Sequence, residues 1–342
     1  MRIVIDARLW SESGLGRYIR NLINELQEID KLNEYYVLLL KKDFDQINFK
    51  SNNFHKVLAD FKWYGFSEQI KLPKLLKELK PDLVHFPHFN VPVFYKGKFV
   101  VTIHDLIHQH FQTRNTSTLN PLLHAIKKIG YKKAFSSAIK NSSKIITPSE
   151  FVKGQLMKEW GIKGDKVMVT YEGVDDKIIQ LAKEKSVGSF QKPYLFYIGN
   201  AQPHKNLSRL ISVFSKLKEK YPDLSLVLSG PDHYFWEKIK KESHPRGGIL
   251  FTGFVSEEEM VVLYKNAEAF VMPSLEEGFG IPILEAMACS CPVVSSNTAS
   301  LPEVGGDAVL YFNPEDEEDM IRVIGDILGD RGLRNDLIKK GE

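Results

Sequence analysis

The chain has 342 residues, of which 43% are hydrophobic and 26% charged, with a formal net charge of +3. This length exceeds one ordinary domain and suits two domains of about 150 residues, each able to bury a core without disulfides or metals. The composition is that of a globular protein and excludes one held together by disulfides.

The charge is unevenly distributed along the chain. Residues 1–172 hold 27 Lys and Arg against 17 Asp and Glu, whereas residues 173–342 hold 19 against 26. A basic half joined to an acidic half indicates that the first half meets an anionic partner. A nucleic acid, an anionic membrane surface or a phosphorylated acceptor would each satisfy this pattern.

The two cysteines, Cys289 and Cys291, are separated by one residue, too close for an ordinary disulfide and only half of a zinc site. We expect both to be small buried thiols in a reducing compartment. The chain begins with a strand pattern in place of a secretion signal, and no run of about 18 apolar residues occurs. These features predict a cytoplasmic protein.

Short apolar runs alternate with helical patterns along the first half of the chain. The predicted strands lie at 2–6, 35–40, 83–86, 98–103 and 144–147. The predicted helices between them lie at about 15–28, 67–79, 120–140 and 149–160. Such alternation favours a parallel sheet covered by helices on both faces.

The same pattern starts again after a polar stretch at about 173–192, where we place a linker. Strands are predicted at 194–198, 224–229, 249–252, 268–272 and 292–295, and helices at 206–220, 256–265, 281–289 and 315–328. We therefore expect two doubly wound, Rossmann-like α/β domains, at 1–172 and 173–342, facing each other across a cleft. Ligands of such sheets bind outside the carboxyl ends of the strands.

A loop with two glycines and two glutamates follows the predicted strand at 268–272. Gly278 and Gly280 let the backbone approach a ligand closely, and the helix that begins after them favours an anion such as a diphosphate. Glu277 precedes this helix start and Glu285 follows it. A carboxylate accepts hydrogen bonds from vicinal hydroxyls, as in a ribose or a hexose. A capped helix with two surface glutamates is the alternative interpretation.

The segment 273–294, PSLEEGFGIPILEAMACSCPVV, resembles the signature of glycosyltransferase family 4, whose members have the GT-B fold and retain anomeric configuration. The resemblance covers most of the chain. It implies that Glu277 contacts the transferred sugar and that Glu285 holds the nucleotide ribose. It also implies that the backbone at Gly278, Phe279 and Gly280 lies against the sugar and the diphosphate, which would make the C-terminal domain the donor-binding domain and the N-terminal domain the acceptor-binding one.

A second element, Gly199 to Leu207, follows the first strand of the second half. The family usually has Arg directly after this glycine and then Lys, both on the diphosphate; here Lys205 matches, and Asn200 stands at the Arg position. A lysine is a mobile point charge suited to a leaving phosphate, although Lys205 taken alone would be a solvated residue of a first helical turn. The segment resembles a mannosyltransferase subgroup that reads P-R-K-N-L here.

A glycine loop also follows the first strand of the chain. Gly14 and Gly16 offer backbone N–H groups to phosphate near a helix start. The loop is not a dinucleotide fingerprint, because Ile19 holds the third glycine position and the second strand ends in lysines. The resemblance places this loop near the donor phosphate and the acceptor. Arg17 is a candidate contact for an anionic acceptor, and an internal salt bridge explains it equally well.

Several histidines follow strands of the first half. The family often has a histidine at the position of His104, directed at the sugar, where it would stabilise a developing oxocarbenium ion. His85 and His88 flank another strand end and are candidates for the acceptor side, although a core or surface histidine is the common alternative. Asp105, with the histidines that follow it, imitates a metal cluster. One strand end cannot turn all of these side chains inward, and we expect no metal site.

Two further segments bear on partners. After the strand at 249–252, the resemblance places the backbone of Phe254 and Val255 around the nucleotide base. The stretch from His124 to Lys144 alternates apolar residues with lysines, which predicts either a basic amphipathic helix on an anionic membrane surface or an ordinary helix with a solvated lysine face.

Together these features predict a retaining, metal-independent hexosyltransferase that uses a nucleotide-diphosphate sugar, with GDP-mannose expected from the subgroup resemblance. We expect a glycan or lipid-linked saccharide as acceptor, as in surface polysaccharide synthesis. No separate cofactor or nucleic acid is expected, and the enzyme would act in the cytoplasm or peripherally at the inner membrane face. An NAD-dependent dehydrogenase and a non-catalytic module that binds sugars or polyanions are the alternatives.

Overall fold

The computed structural model describes residues 1–111, 121–184, 193–243 and 247–342, and in the second range it describes side chains from residue 130 onward. The chain divides into two compact units, which we call unit 1 (Met1–Leu106 and Gln112–Tyr171) and unit 2 (Ile107–Phe111 and Glu172–Glu342). The segment Ile107–Phe111, which we had placed in the first domain, therefore groups with the second.

Unit 1 contains a parallel sheet of seven strands within its described residues, in the order β3-β2-β1-β4-β5-β6-β7. The strands are β1 (Arg2–Asp6), β2 (Glu34–Leu39), β3 (Phe54–Leu58), β4 (Leu83–Phe86), β5 (Phe99–Thr102), β6 (Lys144–Thr147) and β7 (Val167–Val169). The topology reverses at β1, which pairs with both β2 and β4. The carboxyl ends of β1 and β4 therefore meet at the edge where such sheets bind ligands.

Helices cover both faces of this sheet. They are α1 (Gly14–Ile29), α2 (Lys41–Phe44), α3 (Phe66–Leu79), α5 (Pro121–Asn141) and α6 (Glu150–Trp160), while the short α4 (Ile107–His110) belongs to unit 2. The face of α1 toward the sheet carries Ile19 and Ile23, both fully buried in one core cluster. The opposite face of the sheet packs Leu72 and Leu76 of α3 into another. These apolar residues recur at helical spacing, which explains why the segments are helices.

Unit 2 contains a second parallel sheet, with six strands in the order β10-β9-β8-β11-β12-β13 across its described residues. The strands are β8 (Tyr194–Ile198), β9 (Ser225–Ser229), β10 (Ile249–Gly253), β11 (Ala269–Met272), β12 (Val293–Ser296) and β13 (Val309–Phe312). Every residue of β11 is buried. The switch point lies at β8, between β9 and β11.

The helices of unit 2 follow its strands in alternation. They are α7 (Asp176–Lys183), α8 (Leu207–Lys220), α9 (Tyr234–Ser243), α10 (Glu257–Asn266), α11 (Ile281–Ala288), α12 (Leu301–Gly305), α13 (Glu317–Gly329) and α14 (Arg331–Gly341). Cys289 and Cys291 are free and buried in this unit, as predicted, and burial raises the pKa of the Cys289 thiol to about 12. The expectation of two Rossmann-like α/β domains is confirmed.

The predicted linker is wrong in its first part, because α7 occupies residues inside it. Asp175 caps this helix through its side chain, and Ile178 is fully buried in a core of unit 2. Leu181 and Ala182 pack against the same core and complete an apolar face at helical spacing. Residues 185–192 of the predicted linker lie outside the described part of the chain.

Besides α7, the strands β3, β7 and β13, the helix α9 and the short helices α2, α4 and α12 were not predicted. The strands β3, β7 and β13 each lie at an edge of a sheet, and their sequences carry half-exposed positions in place of a continuous apolar run. Edge strands need less apolar burial than central ones, so their sequence signal is weak. The helix α9 was missed because its buried residues are few, with Trp236 and Ile239 facing inward from a lysine-rich segment.

Candidate active site

An ion pair between Lys205 and Glu277 lies at the centre of the candidate site in unit 2. Lys205 Nζ donates to Glu277 Oε1 over 2.6 Å, and the two side chains are only 13% and 10% exposed. Lys205 follows β8 and Glu277 follows β11, which are neighbouring strands of the sheet. The carboxyl ends of these strands therefore bring together two residues that the sequence separates by 72 positions.

The turn that carries Lys205 is fixed by hydrogen bonds to neighbouring loops. Residues Pro203–Lys205 form a 3-10 turn, and the following residue, Asn206, has a left-handed backbone with φ of 59°. The Asn206 side chain donates to the carbonyl oxygens of Pro273 and Pro314, at 3.1 and 2.9 Å. These bonds hold the turn beside the loop that follows β11.

A buried serine fixes the loop from Glu277 to Gly280 by hydrogen bonds to its backbone. The Ser300 hydroxyl contacts the carbonyl oxygens of Glu277 and Phe279 at 3.0 and 2.7 Å. Gly280 has φ of 114°, and a Cβ atom there would lie 2.7 Å from Leu301 Cδ2. Because side chains are strained at this φ and blocked by Leu301, the position requires glycine.

Glu285 lies on α11, which begins directly after this loop. The residue is 3% exposed, and the Tyr264 hydroxyl donates to its Oε2 over 3.3 Å. Burial and the nearby Glu285 carboxylate raise the pKa of Tyr264 well above its usual value, so Tyr264 stays a donor at neutral pH. Glu285 is thus a buried acceptor positioned by a tyrosine.

Two further residues lie close to the ion pair and were not predicted from the sequence. His204 is 4% exposed, and burial, with the adjacent Lys205 charge, lowers its pKa to about 4. It is therefore neutral at pH 7. Tyr197, fully buried at the end of β8, donates its hydroxyl to the Asn200 carbonyl over 2.7 Å. Tyr197 occupies a position inside an apolar run, where the sequence gives no signal of a site.

The segment Ile107–Phe111 contributes a second ion-pair candidate to unit 2. His110 Nδ1 lies 2.8 Å from the carboxylate of Glu276, the residue before Glu277. The ring of Phe111 lies 5.7 Å from that of His204. The sequence offers His110 only as one of the histidines after Asp105, and its contact with Glu276 was not predicted.

The remaining predicted donor-side residues have different environments. The Asn200 side chain accepts a hydrogen bond from the Gln202 backbone N–H at 3.2 Å, which closes its own loop. Phe279 is 7% exposed, and Gly278 is buried beside it. Phe254 is 81% exposed after β10, whereas Val255 packs partly against the core.

In unit 1, the ends of β4 and β5 and the N-terminal part of α1 carry a connected polar cluster. His85 Nε2 lies 2.8 Å from Thr102 Oγ1, and the Tyr18 hydroxyl lies 3.2 Å from the same oxygen. The Tyr18 ring meets the His104 ring edge-on, with centroids 4.7 Å apart. His104 Nε2 lies 3.0 Å from the Pro87 carbonyl oxygen, which fixes Nε2 as the protonated nitrogen.

The histidines of unit 1 differ in burial. His85 is buried, and burial lowers its pKa to about 4, so it is a neutral core histidine beneath Thr102. His88 is half-buried, and its ring packs on Phe89 with centroids 4.0 Å apart. Of the two, His88 is therefore the one with an accessible side chain.

The glycine loop of unit 1 opens α1. A Cβ atom at Gly16 would lie 2.4 Å from the Trp10 carbonyl oxygen, so this glycine is required by close packing of the chain on itself. Gly14 is exposed, with open space where a side chain would stand. Arg17 is half-buried in the first turn of α1.

Among the described residues, no group of three or more His, Cys, Asp or Glu side chains is arranged to hold a metal ion. Over the same part of the chain, none of the helices combines the length and apolarity needed to cross a bilayer.

The stretch from His124 to Lys144 is only partly described. The side chains of residues 124–129 lie outside the described part, and in the remainder Phe135, Ala138 and Ile139 are fully buried in the core of unit 1. Lys132 and Lys133 are exposed. The described half of α5 is therefore an ordinary domain helix with a solvated lysine face, because its apolar side chains are used by the core.

Comparisons with known proteins agree with this arrangement. Residues 13–178 match the family described as Glycosyltransferase Family 4, and residues 180–342 match Glycosyl transferases group 1. O-antigen chain mannosyltransferase B of Escherichia coli is 28% identical over 333 residues, covering 89% of this chain and 84% of that protein. O-antigen chain mannosyltransferase RfbU of Salmonella typhimurium is 28% identical over 257 residues, covering 75% of this chain and 67% of that protein.

Solved structures show the same fold at lower identity. Anabaena Alr3699/HepE, crystallised in complex with UDP-glucose, superposes with a TM-score of 0.75 at 16% identity, covering 100% of this chain and 93% of that one. The two family matches together span nearly the whole sequence. The chain therefore belongs to the glycosyltransferases of the GT-B fold, with a family 4 domain followed by a group 1 domain.

Proposed function

We propose that this enzyme transfers mannose from GDP-mannose to a glycan or lipid-linked saccharide, with retention of anomeric configuration and without a metal ion. The Lys205–Glu277 pair carries the proposal, because it joins a phosphate-binding cation to a sugar-binding carboxylate at adjacent strand ends. The family matches favour a glycosyltransferase over both alternatives, the dehydrogenase and the non-catalytic binding module.

The proposed reaction breaks the bond between mannose C1 and the β-phosphate oxygen and forms one between C1 and an acceptor oxygen on the same face. The proton of the acceptor hydroxyl passes to the departing phosphate oxygen, so no protein base is required. Lys205 and the start of α11 at Gly280 stabilise the negative charge that develops on the diphosphate. Their contribution is electrostatic and is present before the reaction begins.

The carboxylates have separate roles in this proposal. Glu277 accepts hydrogen bonds from mannose hydroxyls and orients the ring, while Glu285 accepts them from the ribose. The tyrosine at 264 holds Glu285 in place through a 3.3 Å hydrogen bond. On the acceptor domain, His104 would stabilise the positive charge that develops at C1, and Arg17 and His88 are the proposed acceptor contacts.

Donor binding requires Lys205 to exchange partners. In the structure its ammonium group contacts Glu277, whereas the reaction needs it on phosphate and needs the carboxylate on sugar. The incoming donor supplies both replacements at once, a phosphate for the lysine and hydroxyls for the glutamate. The partly buried pair thus keeps both charges satisfied until the donor arrives.

The choice of mannose and of a polysaccharide acceptor rests on the relatives. Two of them are named as O-antigen chain mannosyltransferases, and this chain covers 84% and 67% of their lengths. The Pro203-His204-Lys205-Asn206-Leu207 segment supports the same donor by its resemblance to the mannosyltransferase subgroup. With a lipid-linked acceptor, the proposed enzyme would act in the cytoplasm or at the inner membrane face.

A panel of nucleotide sugars tests the proposal. The enzyme is incubated in EDTA with GDP-mannose, UDP-glucose or UDP-galactose and with lipid-linked saccharides, and the product's anomeric configuration is read by NMR. We expect α-mannoside from GDP-mannose alone. A β-linked product, a metal requirement, or transfer from only UDP-sugars would contradict the mechanism or the donor. Stabilisation by NAD or by a polyanion without any transfer would contradict the proposed function as a whole.

A further inference from the structure

Unit 1 exposes four large apolar or aromatic side chains that lie close together. Tyr64, Phe66, Ile70 and Phe94 are 62%, 83%, 57% and 75% exposed. We call these four residues the α3 surface. Phe66 and Ile70 lie one turn apart on α3, and the side chain of Gln69 between them accepts a hydrogen bond from the Val93 backbone at 2.9 Å. That bond brings Phe94 beside the helix.

The exposure of Phe66 and Ile70 follows from how α3 packs. The buried positions of this helix are Glu68, Leu72 and Leu76, which share one face at spacings of four residues. At 100° per residue, Phe66 and Ile70 lie on the opposite side. The core thus takes one apolar face of α3, and a second apolar region is left on the solvent side.

Glu68 keeps α3 in this orientation. Its fully buried carboxylate pairs with Arg8 at 2.6 Å and accepts from the Asn90 side chain at 2.8 Å. It also accepts from the Tyr64 backbone N–H at 2.9 Å. Rotating the helix to hide Phe66 would remove Glu68 from three partners, so the α3 surface is a fixed feature of the fold.

Exposed lysines lie on α3 and on the segments that flank the four residues of the α3 surface. They are Lys62, Lys71, Lys74, Lys77, Lys96 and Lys98. None of these lysines forms an ion pair with another residue of the described chain. The exposed acidic residue on α3 is Glu78. The rim of the surface is therefore strongly positive and free to meet anionic groups.

The helix α5 carries further exposed lysines and is connected to Tyr64 by ring contacts. Tyr64 lies 6.2 Å from the Phe89 ring, and Phe89 lies 5.0 Å from the Tyr131 ring of α5. Lys132 and Lys133, which follow Tyr131, are exposed. Phe89, which is buried, thus links Tyr64 of the α3 surface to the helix that carries these lysines.

We propose that the α3 surface docks unit 1 onto an anionic lipid bilayer. Phe66, Ile70 and Phe94 would enter the boundary between headgroups and acyl chains, while the surrounding lysines contact anionic headgroups. A second copy of this chain is the weaker occupant, because a symmetric contact would bring the lysine rims of both copies together. Docking would bring unit 1 to the membrane that holds a lipid-linked acceptor. Only this use of the docking rests on the proposed function.

Vesicle sedimentation tests the docking. The wild type is mixed with vesicles of phosphatidylcholine alone and of an equal mixture of phosphatidylcholine and phosphatidylglycerol. We expect binding to the mixture, weakened by salt, and little binding to phosphatidylcholine. The double variant Phe66→Ser/Ile70→Ser should bind the anionic vesicles at least about tenfold more weakly.

A matched control uses exposed apolar residues of the same unit that have acidic neighbours. Ile29 and Leu32 are 75% and 91% exposed and lie close in sequence to Glu28, Asp30 and Glu34. The variant Ile29→Ser/Leu32→Ser should bind anionic vesicles as the wild type does. The melting temperature of each variant, with and without GDP, reports whether it folds and still binds nucleotide.

Three results would overturn the docking. The first is that the wild type does not bind anionic vesicles. The second is that both double variants lose vesicle binding equally. The third is that the wild type is a dimer, which Phe66→Ser/Ile70→Ser converts to a monomer without altering vesicle binding. If GDP stabilises every variant while vesicle binding fails, the docking is wrong and the nucleotide site is intact. If vesicles bind and GDP has no effect, the proposed function is wrong and the docking stands.

Discussion

Lys205 Nζ and Glu277 Oε1 lie 2.6 Å apart at the carboxyl ends of adjacent strands, with both side chains nearly buried. The sheet topology places this positive and this negative charge side by side, because β8 and β11 are neighbours. Such preorganisation lets the protein stabilise developing charge without reorganising during the reaction.

Glu277 is expected to bind the transferred sugar and not the nucleotide. Glu277→Ala should lower the transfer rate by a factor of about 100 to 1,000, because a preorganised contact at the reacting sugar is lost. Stabilisation by GDP, which has no sugar at that position, should remain. Rates with GDP-mannose and melting temperatures with GDP measure both parts. Glu315→Ala, which removes an exposed carboxylate of the same unit, is the control and should behave as the wild type.

The lysine is expected to bind the diphosphate. Lys205→Ala should weaken GDP binding by about 10- to 100-fold, since a charge-assisted hydrogen bond contributes about 1.5–3 kcal/mol. Guanosine, which lacks phosphate, should bind both proteins equally. Calorimetric titration provides the affinities, with Lys238→Ala on α9 as an exposed control. Equal loss of GDP and guanosine affinity would show that the substitution damages the fold instead.

Glu285 is expected to recognise ribose hydroxyls. The wild type should bind 2′-deoxy-GDP and 2′,3′-dideoxy-GDP more weakly than GDP, by about 1–2 kcal/mol in total. In Glu285→Ala the three nucleotides should bind alike, because the partner of the hydroxyls is gone. A variant that keeps the full discrimination would place the ribose elsewhere. Tyr264→Phe, which removes the hydroxyl that positions Glu285, should give an intermediate result.

Gly280 is expected to be sensitive to a methyl group. Gly280→Ala should destabilise the protein by about 1–3 kcal/mol, since φ of 114° and the Leu301 side chain both oppose a Cβ atom. Gly154→Ala on α6, where a side chain meets open space, should be neutral or stabilising. Urea unfolding compares the two. Similar stability for both variants would contradict the geometry of the loop.

The buried histidines predict a dependence of stability on pH. Burial lowers the folded pKa of His85 and His204 from 6.5 to about 4. Between these values the unfolded chain takes up the proton and the folded chain does not, so the free energy of unfolding falls as the pH decreases from 6.5 toward 4. Each histidine should account for about 2 kcal/mol of the loss between pH 7 and pH 5.

Urea unfolding at those two pH values measures this effect. His204→Gln should reduce the loss by about 2 kcal/mol, and His85→Gln, in the other unit, should reduce it by a similar and additive amount. If either variant loses as much stability as the wild type between the two pH values, its histidine is not held neutral in the fold.

The sequence predicted the central strands of both sheets and the helices that open the candidate site, because those segments carry strong periodicity or long apolar runs. It did not predict the edge strands β3, β7 and β13, whose residues alternate weakly, or the helix α7 within the expected linker. The glutamates were found from their setting at a strand end. Their roles in binding remain predictions that the variants above address.

Residues that support the site from the core escaped the sequence analysis. Tyr197 and Ser300 have no motif, since a buried hydroxyl looks the same whether it serves a site or a turn. Asn200 stands at the position of an expected diphosphate contact, and the sequence did not show that its side chain accepts from the Gln202 backbone N–H. Hydrogen-bond partners separated by many residues decide these roles, and the sequence does not show them.

The most direct test of the donor site is calorimetric titration of GDP-mannose and UDP-glucose in EDTA, with the wild type and Glu277→Ala. We expect GDP-mannose to bind the wild type without metal and more tightly than UDP-glucose, and the variant to bind GDP-mannose no better than GDP. Binding of neither nucleotide sugar, or equal preference of the variant and the wild type for GDP-mannose over GDP, would contradict the assignment of Lys205 and Glu277 to the donor.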